Sequence, residues 1–294
     1  MKKYRLIANP EAGRGRVSAL VPRVLALFEA RGASIDLAVT KSPRDAARIA
    51  RESLDRYDAI VVLGGDGTVN EVLEPMLFAR RPLGIIPAGS GNDFVKSLKV
   101  PANLEQAVDT ILRGTTRVID AGRINGRYFV NAAGIGFDAA VNQASYAINH
   151  SRRGLLLYLC ALLRTLGRYD PVPMTVTMNG EQVDENVFLL TAGNGTTVGG
   201  GFRLTPHAAL DDQLLDVTLV RAIGLLPLLW HLPKVFLGTL DRVTKYAVSK
   251  RTARLVIESS LPVPVHLDGE IYTGAERRFE IEVVPRALTV IGNF

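Results

Sequence analysis

The segment at residues 59–77, AIVVLGGDGTVNEVLEPML, most strongly constrains the fold of this chain. Its first five residues are apolar and rich in β-branched side chains, as in a strand buried on both faces of a parallel sheet. The three glycines that follow allow the backbone to turn sharply, and beyond them apolar residues recur at the helical period. We predict a strand, a glycine-rich turn and a helix that Thr68 caps.

This turn has the features of a phosphate-binding loop. Backbone N–H groups at such a turn, together with a helix N-terminus, attract phosphate oxygens. The turn is neither a Walker A loop nor a GxGxxG fingerprint, and an isolated glycine turn is usually only a tight connection. Asp66 favours a ligand site, because a carboxylate among anion-binding amides would repel phosphate unless a divalent cation lay between them.

The pattern of predicted secondary structure changes at about residue 118. Before it, strand-like runs alternate with helical patterns, which predicts a doubly wound α/β domain over residues 1–118. After it, Asn-Gly pairs at 125–126 and 179–180 lie between strand-like runs, which is a strong hairpin signal. We predict an antiparallel β-sandwich domain over residues 119–285, with helical insertions near 141–166 and 225–240.

Composition narrows the class of protein. The chain has 294 residues, 47% hydrophobic and 22% charged, which is typical of a soluble globular protein with two moderate cores. Cys160 is the only cysteine, so an internal disulfide is excluded and a cytoplasmic location is favoured. The first residues lack the apolar core of a secretory signal.

Charge and two apolar stretches indicate which large partners to expect. The net charge is +6, but no nucleic-acid-binding motif is present, so we expect no nucleic acid partner. Attraction to an anionic membrane surface fits the charge at least as well. The apolar stretches at 154–163 and 223–240 are too short or too interrupted to cross a bilayer. Either could cover an apolar pocket or touch a membrane surface, although burial in a core is the commoner role.

Seven motifs occur along the chain, namely NPEAG at 9–13, GGDGTVNEV at 64–72, PAGSGNDF at 87–94, GIGFDA at 134–139, GNGTTVGGGF at 193–202, ALDD at 209–212 and DGE at 268–270. Their order resembles the catalytic domain of the diacylglycerol kinase family, specifically its soluble bacterial lipid kinases. The resemblance implies an N-terminal doubly wound α/β domain like that of NAD kinase and phosphofructokinase, followed by a C-terminal antiparallel β-sandwich domain. It also implies that the tail at 286–294 returns to the first domain.

The resemblance implies an ATP site on the loops that follow the first strands. Asn92 and Asp93 add amide and carboxylate groups that could bind a nucleotide or metal, and Arg14 and Arg16 are further candidate phosphate partners. The ATP-site residues are Asn9, Pro10, Glu11, Ala12, Gly13, Thr40, Gly65, Asp66, Gly67, Thr68, Val69, Asn70, Glu71, Ser90 and Asn92.

Transfer of a phosphoryl group to an alcohol needs positioned phosphates, a cation and a proton acceptor. Asp66 suits the cation, which we expect to be Mg²⁺. The resemblance implies that Glu270 accepts the proton, with Asp268 supporting Glu270 or the metal. Asp-Gly at 268–269 is also a common hairpin turn, and the two interpretations are compatible.

A second Mg²⁺ site is implied by the resemblance of the ALDD loop. It would use the side chain of Asp212 and the carbonyl groups of Ala209 and Leu214. The family usually has glycine where this chain has Gln213, which leaves the geometry of the loop open. A solvated Asp211-Asp212 turn is the alternative.

These features predict an ATP- and Mg²⁺-dependent lipid kinase, with diacylglycerol as the leading acceptor and phosphatidic acid as its product. Alternatives are a kinase of another lipid alcohol such as a sphingoid base or phosphatidylglycerol, an NAD kinase-like enzyme, and a non-catalytic lipid- or ATP-binding regulator. We expect a cytoplasmic protein that contacts the inner membrane surface peripherally. The sequence is compatible with a homodimer but carries no signal for oligomeric state.

Overall fold

A computed structural model describes residues 2–13, 15–147, 154–272 and 276–294 of the chain. It divides into two compact units, Met1–Ile119 with Arg286–Phe294, and Asp120–Pro285. The sequence-based boundary lies at residue 118, and the tail at 286–294 belongs to the first unit.

The first unit alternates strands and helices around a parallel sheet, which confirms the predicted doubly wound α/β class. Its strands follow the order β2-β1-β3-β4, and the end of the last strand, β15, pairs with β4. The elements are β1 (Lys3–Ala8), α1 (Arg16–Ala30), β2 (Ser34–Val39), α2 (Asp45–Ser53), β3 (Ala59–Gly64), α3 (Asp66–Met76), β4 (Leu83–Pro87), α4 (Asp93–Ser97) and α5 (Leu104–Arg113).

The register of this sheet brings the ends of four strands to one edge. Ala8 pairs with Leu63 and with Val39, and Gly64 pairs with Pro87. Every residue of β3 is buried, as its apolar composition requires. Because all four strands are parallel, the loops that follow β1, β2, β3 and β4 begin side by side, where α/β folds bind ligands.

The helix after β3 begins earlier than the sequence pattern indicated. Gly65 occupies the cap position and α3 starts at Asp66, so the prediction that Thr68 caps this helix is wrong. Thr68 lies in the first turn with its side chain buried, where its hydroxyl accepts a hydrogen bond from Asn9. A carboxylate at the first helical residue is compatible with the positive end of the helix dipole, so Asp66 can begin the helix without a side-chain cap.

The second unit is built from antiparallel strands and helices, and the predicted β-sandwich is confirmed. The strand order is β14-β13-β7-β9-β8-β12-β15, and β10 pairs with β9 and β11. The elements are β5 (Thr115–Ile124), β6 (Arg127–Phe129), β7 (Ala132–Gly136), α6 (Phe137–Ala147), α7 (Gly154–Leu166), β8 (Val172–Met178), β9 (Glu181–Gly193), β10 (Leu215–Arg221), α8 (Leu225–Leu237), β11 (Ala247–Thr252), β12 (Arg254–Ser259), β13 (Val265–Leu267), β14 (Glu270–Tyr272) and β15 (Arg278–Gly292).

Both predicted Asn-Gly hairpins are present. The backbone φ angles are 43° and 85° at residues 125 and 126, and 53° and 77° at residues 179 and 180. These positive angles characterise the tight turn that best matches the twist of two antiparallel strands. β5 therefore pairs with β6, and β8 pairs with β9.

Two apolar cores lie in the second unit. One packs between the strands around Ile135, Leu190 and Ile281. The other lies among α6, α7, α8 and the strand residues beneath them, and it contains Phe137 and Phe188, whose rings stack with centroids 4.3 Å apart. Among the helices that the structure describes, none combines the length and apolar character needed to cross a bilayer.

Gly122 in β5 tests the packing of the sandwich. A Cβ atom at this position would lie 2.0 Å from the ring of buried Phe129. We expect Gly122→Ala to lower the free energy of unfolding by about 2 kcal/mol or more, because the ring must move out of its site. Gly167→Ala, where nothing lies within 4 Å, is the control and should change it by less than about 0.5 kcal/mol. Urea denaturation of both variants makes the comparison, and equal effects would contradict the packing described here.

Candidate functional site

The loop after β1 is tied to the turn after β3 in the first unit. The amide Nδ2 of Asn9 donates to Thr68 Oγ1 at 3.2 Å, and the Asn9 backbone N–H donates to the Leu63 carbonyl at 3.4 Å. The side-chain oxygen of Asn9 accepts the N–H of Glu11 at 3.1 Å. Asn9 therefore shapes the loop at 9–13 and holds it against the start of α3.

Glycines let the loops of this edge approach one another closely. Gly13 has a φ of +59°, and a Cβ atom there would lie 2.1 Å from the carbonyl oxygen of Ala88. A Cβ atom on Gly65 would lie 2.9 Å from the Cα atom of Gly89. Three loops thus meet through bare backbone, which is the surface that phosphate-binding turns present to a ligand.

Asn92 holds the loop after β4 in shape. Its side-chain oxygen accepts the Gly89 N–H at 3.0 Å, and its amide donates to the Gly89 carbonyl at 2.9 Å. Asn92 itself has a φ of 50°, a left-handed conformation that asparagine tolerates better than most residues. Ser90 is exposed at the tip of the loop that these bonds close.

Two carboxylates converge beside Gly91. Asp66 Oδ1 accepts the backbone N–H of Asp93 at 2.9 Å, which joins the start of α3 to the start of α4. A Cβ atom on Gly91 would lie 2.9 Å from Asp66 Oδ2 and 3.4 Å from Asp93 Oδ2. Lys96 lies 2.7 Å from the other oxygen of Asp93. Two carboxylate oxygens that share one small space fit a divalent cation, since like charges at short range otherwise repel.

The remaining predicted nucleotide residues lie on the same edge, with different exposure. Thr40 is buried and its backbone N–H donates to the Ala8 carbonyl at 3.0 Å. Val69 is buried in the core, so only its backbone could meet a ligand. Arg16 is exposed at the start of α1, whereas Arg14 lies outside the described residues. Pro10, Glu11, Ala12, Gly67, Asn70 and Glu71 are half-buried or exposed around these loops.

In the second unit, Asp268 is the anchor of the DGE hairpin. Its Oδ1 accepts the backbone N–H groups of Asn131 and Ala132, at 2.8 and 2.9 Å, and its Oδ2 accepts that of Val130 at 2.8 Å. Burial raises the pKa of the Asp268 carboxyl, and the three backbone donors oppose that rise. Residues 268 and 269 have positive φ, so the predicted Asp-Gly hairpin is present.

The other side of this hairpin is held by two polar side chains. The Gly269 N–H donates to His266 Nδ1 at 3.3 Å, and the Gly269 carbonyl accepts the amide of Asn142 on α6 at 2.6 Å. Glu270, the first residue of β14, is exposed directly after this restrained turn. The backbone that carries Glu270 is thus fixed by contacts on both sides.

A buried imidazole and carboxylate connect the hairpin to a cavity. His266 Nε2 lies 3.5 Å from Asp138 Oδ2, beyond a normal hydrogen bond, and both side chains are almost fully buried. Asp138 also accepts the Thr191 hydroxyl at 3.0 Å and the Ala139 N–H at 2.8 Å. A Cβ atom on Gly134 would lie 2.2 Å from Asp138 Oδ2, so the pair requires a glycine there.

Asp138 lines an apolar cavity beneath α8. The space between the atoms of this cavity and its open mouth is about 730 Å³ in total. Its polar lining groups include Asp138, His231 and Tyr246, and His231 Nδ1 is buried with no hydrogen-bond partner in the described part of the chain. The apolar lining includes Phe137, Val141, Phe188, Val198, Phe202 and Leu232.

The loop proposed from sequence as a second Mg²⁺ site is organised around Asp120. Asp120 Oδ2 accepts the N–H of Gln213 at 2.7 Å, and Asp212 Oδ1 accepts that of Leu214 at 3.1 Å. Gln213 has a φ of 62°, the conformation for which glycine is best suited. The backbone therefore turns here although glycine is absent.

Asp216 adds a group that fits a cation at this loop. Its Oδ2 is buried without a hydrogen-bond partner in the described part of the chain. Burial raises the pKa of Asp216 to about 6. The negative charge of Asp212 adds to this rise in pKa, and the positive charge of Arg251 opposes it. No cluster of three or more His, Cys, Asp or Glu side chains able to hold a metal occurs among the described residues. Any Mg²⁺ here would depend on carbonyl or water oxygens as well.

Several of these groups are absent from the sequence-based site. Asp138 lies in a motif that was recognised without a role for this residue. Asp93 was predicted from sequence as a candidate nucleotide or metal ligand, but its position beside Asp66 was not. Other contacts depend on pairing between distant segments and carry no local signal. They involve Asp120, Asn142, Asp216 and His266.

The first unit thus has a glycine-lined edge where two carboxylates converge, and the second unit has a carboxylate hairpin joined by contacts to an apolar cavity. Residues 3–124 match the diacylglycerol kinase catalytic domain, and residues 131–292 match the YegS C-terminal NAD kinase beta sandwich-like domain. The chain belongs to the diacylglycerol kinase family and is a lipid kinase.

Similar proteins cover nearly the whole chain. A diacylglycerol kinase of Mycobacterium tuberculosis is 32% identical, over 98% of this chain and 94% of its own. A diacylglycerol kinase of Bacillus subtilis is 29% identical, over 92% of this chain and 90% of its own. The crystal structure of a diacylglycerol kinase from Bacillus anthracis superposes with a TM-score of 0.78 at 26% identity, and the match covers 99% of this chain and 97% of that one.

Asp268 provides a test of the hairpin anchor. Asn at this position keeps the size but replaces one acceptor oxygen by an N–H₂ group that faces backbone donors, so it cannot accept all three bonds. We expect Asp268→Asn to lower the free energy of unfolding by about 2–4 kcal/mol. Urea denaturation followed by circular dichroism measures this, with exposed Asp184→Asn as the control. An unchanged denaturation midpoint would show that the three bonds contribute nothing.

Asp216 provides a test of the second cation site that does not depend on activity. We expect Mg²⁺ at roughly tenfold over its Kd to stabilise the protein by about 1.4 kcal/mol, seen as a rise in Tm. Asp216→Asn should reduce that rise by at least half, because the buried unpaired oxygen no longer carries charge. Asp170→Asn, an exposed change in the same unit, should leave the rise intact. A Tm that does not respond to Mg²⁺ in the unaltered protein would exclude the site.

Proposed function

We propose that this lipid kinase uses ATP and phosphorylates the hydroxyl group of diacylglycerol to give phosphatidic acid. One observation carries the proposal, namely the chain of contacts within the second unit that links the apolar cavity to Glu270. Asp138 lines the cavity, His266 lies against Asp138, and the hairpin before Glu270 is bonded to His266. These contacts support the proposal, because they join an apolar cavity to the hairpin that carries the proposed base.

The nucleotide would bind at the aligned loop edge of the first unit. Bare backbone around Gly13, Gly65 and Gly89 can approach phosphate oxygens without steric hindrance. The positive end of α3 lies at the same edge and favours negative charge. Ser90 is exposed at the tip of the neighbouring loop, where its hydroxyl can donate to a phosphate or ribose oxygen.

Asp66 and Asp93 would hold the Mg²⁺ that accompanies the nucleotide, because their carboxylate oxygens converge beside Gly91. When bound, the cation offsets the negative charge that develops during phosphoryl transfer. In its absence these carboxylates would repel the phosphates, so the loops alone cannot bind a nucleotide tightly.

Glu270 would accept the proton of the attacking hydroxyl. Glu270 is exposed, so water and substrate can reach it, whereas Asp268 is half-buried and accepts three backbone hydrogen bonds. We therefore assign Asp268 to positioning and Glu270 to proton transfer. His266 and Asn142 hold the opposite side of the turn, which restricts the directions in which Glu270 can point.

The cavity favours a lipid acceptor over a soluble one. The lining of the cavity is almost entirely aliphatic and aromatic. The polar groups of a dinucleotide or a sugar phosphate would therefore lack hydrogen-bond partners in it. Because such an acceptor resides in membranes, we propose a cytoplasmic protein that acts peripherally at the inner membrane surface. Nothing about the cavity requires a second copy of the chain.

Transfer of labelled γ-phosphate from ATP tests this function. The acceptors are diacylglycerol, a sphingoid base and phosphatidylglycerol in mixed micelles, with NAD and fructose 6-phosphate as soluble controls. We expect label in diacylglycerol that requires Mg²⁺ and disappears in Asp66→Ala. Label in another lipid would change the acceptor, and label only in NAD would replace the proposal by an NAD kinase-like activity. ATP binding without transfer to any acceptor would favour a regulator.

Glu270→Gln isolates the proton-transfer step. The amide keeps the size of the side chain but cannot accept the proton, so we expect kcat to fall by about 10²–10⁴-fold with little change in the KM for ATP. The matched control is Glu258→Gln, which removes an exposed carboxylate of the same unit and should retain kcat within about twofold. Full turnover by folded Glu270→Gln would refute the assignment.

A further inference from the structure

Helix α8 (Leu225–Leu237) is apolar on two opposite faces. One face lines the cavity through Leu228, His231, Leu232 and Val235, which recur at the spacing of a single helical stripe. An ordinary surface helix would carry charged residues on its other face. The segment at 222–240 instead contains no Asp or Glu, and Lys234 and His231 are its only residues with ionisable side chains.

The outward face of α8 exposes large apolar side chains to solvent. Leu226 is 79% exposed and Trp230 is 78% exposed, one helical turn apart. Leu225, Leu229 and Leu237 are also exposed. A cluster of this size is unusual on a monomeric soluble protein, where exposed apolar residues are normally scattered. We therefore expect the outward face to bind a partner that removes these side chains from water.

Basic side chains border the same helix and cavity. Lys234 lies on α8, and the Arg203 backbone N–H donates to the Val235 carbonyl at 3.0 Å. Arg242 and Lys245 are exposed beside cavity residues Val243 and Tyr246. None of these four cations has an ion-pair partner in the described part of the chain. Asp241, which precedes Arg242 in the chain, lies 3.3 Å from His207.

We propose that the outward face of α8 docks on an anionic phospholipid bilayer. The apolar side chains would enter the boundary between headgroups and acyl chains, and the flanking cations would lie at the level of the lipid phosphates. Tryptophan favours that boundary, because its ring is apolar while its N–H can hydrogen-bond to headgroups. The opposite face of the same helix lines the cavity, so docking would place the cavity next to the source of its lipid.

The charges favour an anionic bilayer over a second copy of the chain as the partner of this face. Two copies that met through this face would bring two sets of unpaired cations together, which costs free energy. An anionic bilayer neutralises the same cations. This inference rests on the proposed function, because a lipid acceptor is what makes a membrane the relevant partner.

The chain contains one tryptophan, so its fluorescence reports on this surface alone. We expect vesicles of phosphatidylserine and phosphatidylcholine to shift the Trp230 emission to shorter wavelength, and brominated lipids to quench it. Vesicles of phosphatidylcholine alone should bind on the order of tenfold more weakly. No spectral change with anionic vesicles that sediment the protein would overturn the proposal, because another surface would then be the contact.

Variants separate docking from catalysis. The double variant Leu226→Glu/Trp230→Glu should lower vesicle binding measured by sedimentation by at least about tenfold. Its activity toward a short-chain diacylglycerol that is soluble as a monomer should remain within about twofold. Leu261→Glu, which replaces an exposed leucine of the same unit outside α8, should bind vesicles like the unaltered protein.

The outcomes distinguish this inference from the proposed function. If the double variant bound vesicles as well as the unaltered protein, α8 would not be the docking surface. If sedimentation equilibrium showed a dimer for the unaltered protein and a monomer for the double variant, the face would instead bind a second copy of the chain. Transfer of phosphate to soluble diacylglycerol without vesicle binding would leave the kinase intact and refute docking. Vesicle binding through α8 without transfer to any lipid would support docking and refute the kinase acceptor.

Discussion

Three consecutive backbone N–H groups donate hydrogen bonds to the Asp268 carboxylate. The candidate active site of the second unit depends on this interaction. A buried carboxylate is tolerated only when hydrogen bonds replace its hydration, and the turn between β6 and β7 supplies those bonds. The same contact fixes the register of β13 and β14 at the point where Glu270 emerges. Local sequence assigns Asp268 equally to a turn or to catalysis, and these bonds show that it restrains the turn before Glu270.

In the first unit, the loops of the candidate site are held together mainly through close backbone contacts. Parallel register aligns the ends of its strands, and the glycines at 13, 65 and 89 let the loops meet without side chains between them. Asp66 then bonds to the N–H of Asp93, which connects two helix starts through one carboxylate. In the function proposed above, backbone donors would give the anion site a fixed shape but a limited charge, and a cation held by carboxylates would complement it.

Sequence predicted the parts of this protein that depend on local pattern. The β3 run, the Asn-Gly turns and the alternation of strands and helices each follow from a few neighbouring residues, and the structure contains them. The start of α3 was misplaced because Thr68 is a good cap by composition, while its hydroxyl is used by Asn9 from a distant loop. The Asp138–His266 contact and the cavity could not be predicted, because they require α6, β7 and β13 to meet.

Helix α8 shows why composition alone could not assign a role to the apolar segments. A stretch rich in leucine with no acids is equally consistent with a core helix, a cover or a membrane contact, because hydropathy does not specify which face is buried. Packing resolves the ambiguity by burying one stripe against the cavity and leaving Leu226 and Trp230 in solvent. Burying both faces at once needs the protein core on one side and an external apolar phase on the other. For an enzyme whose acceptor is dissolved in that phase, the helix that covers the cavity is also the one best placed to enter the membrane.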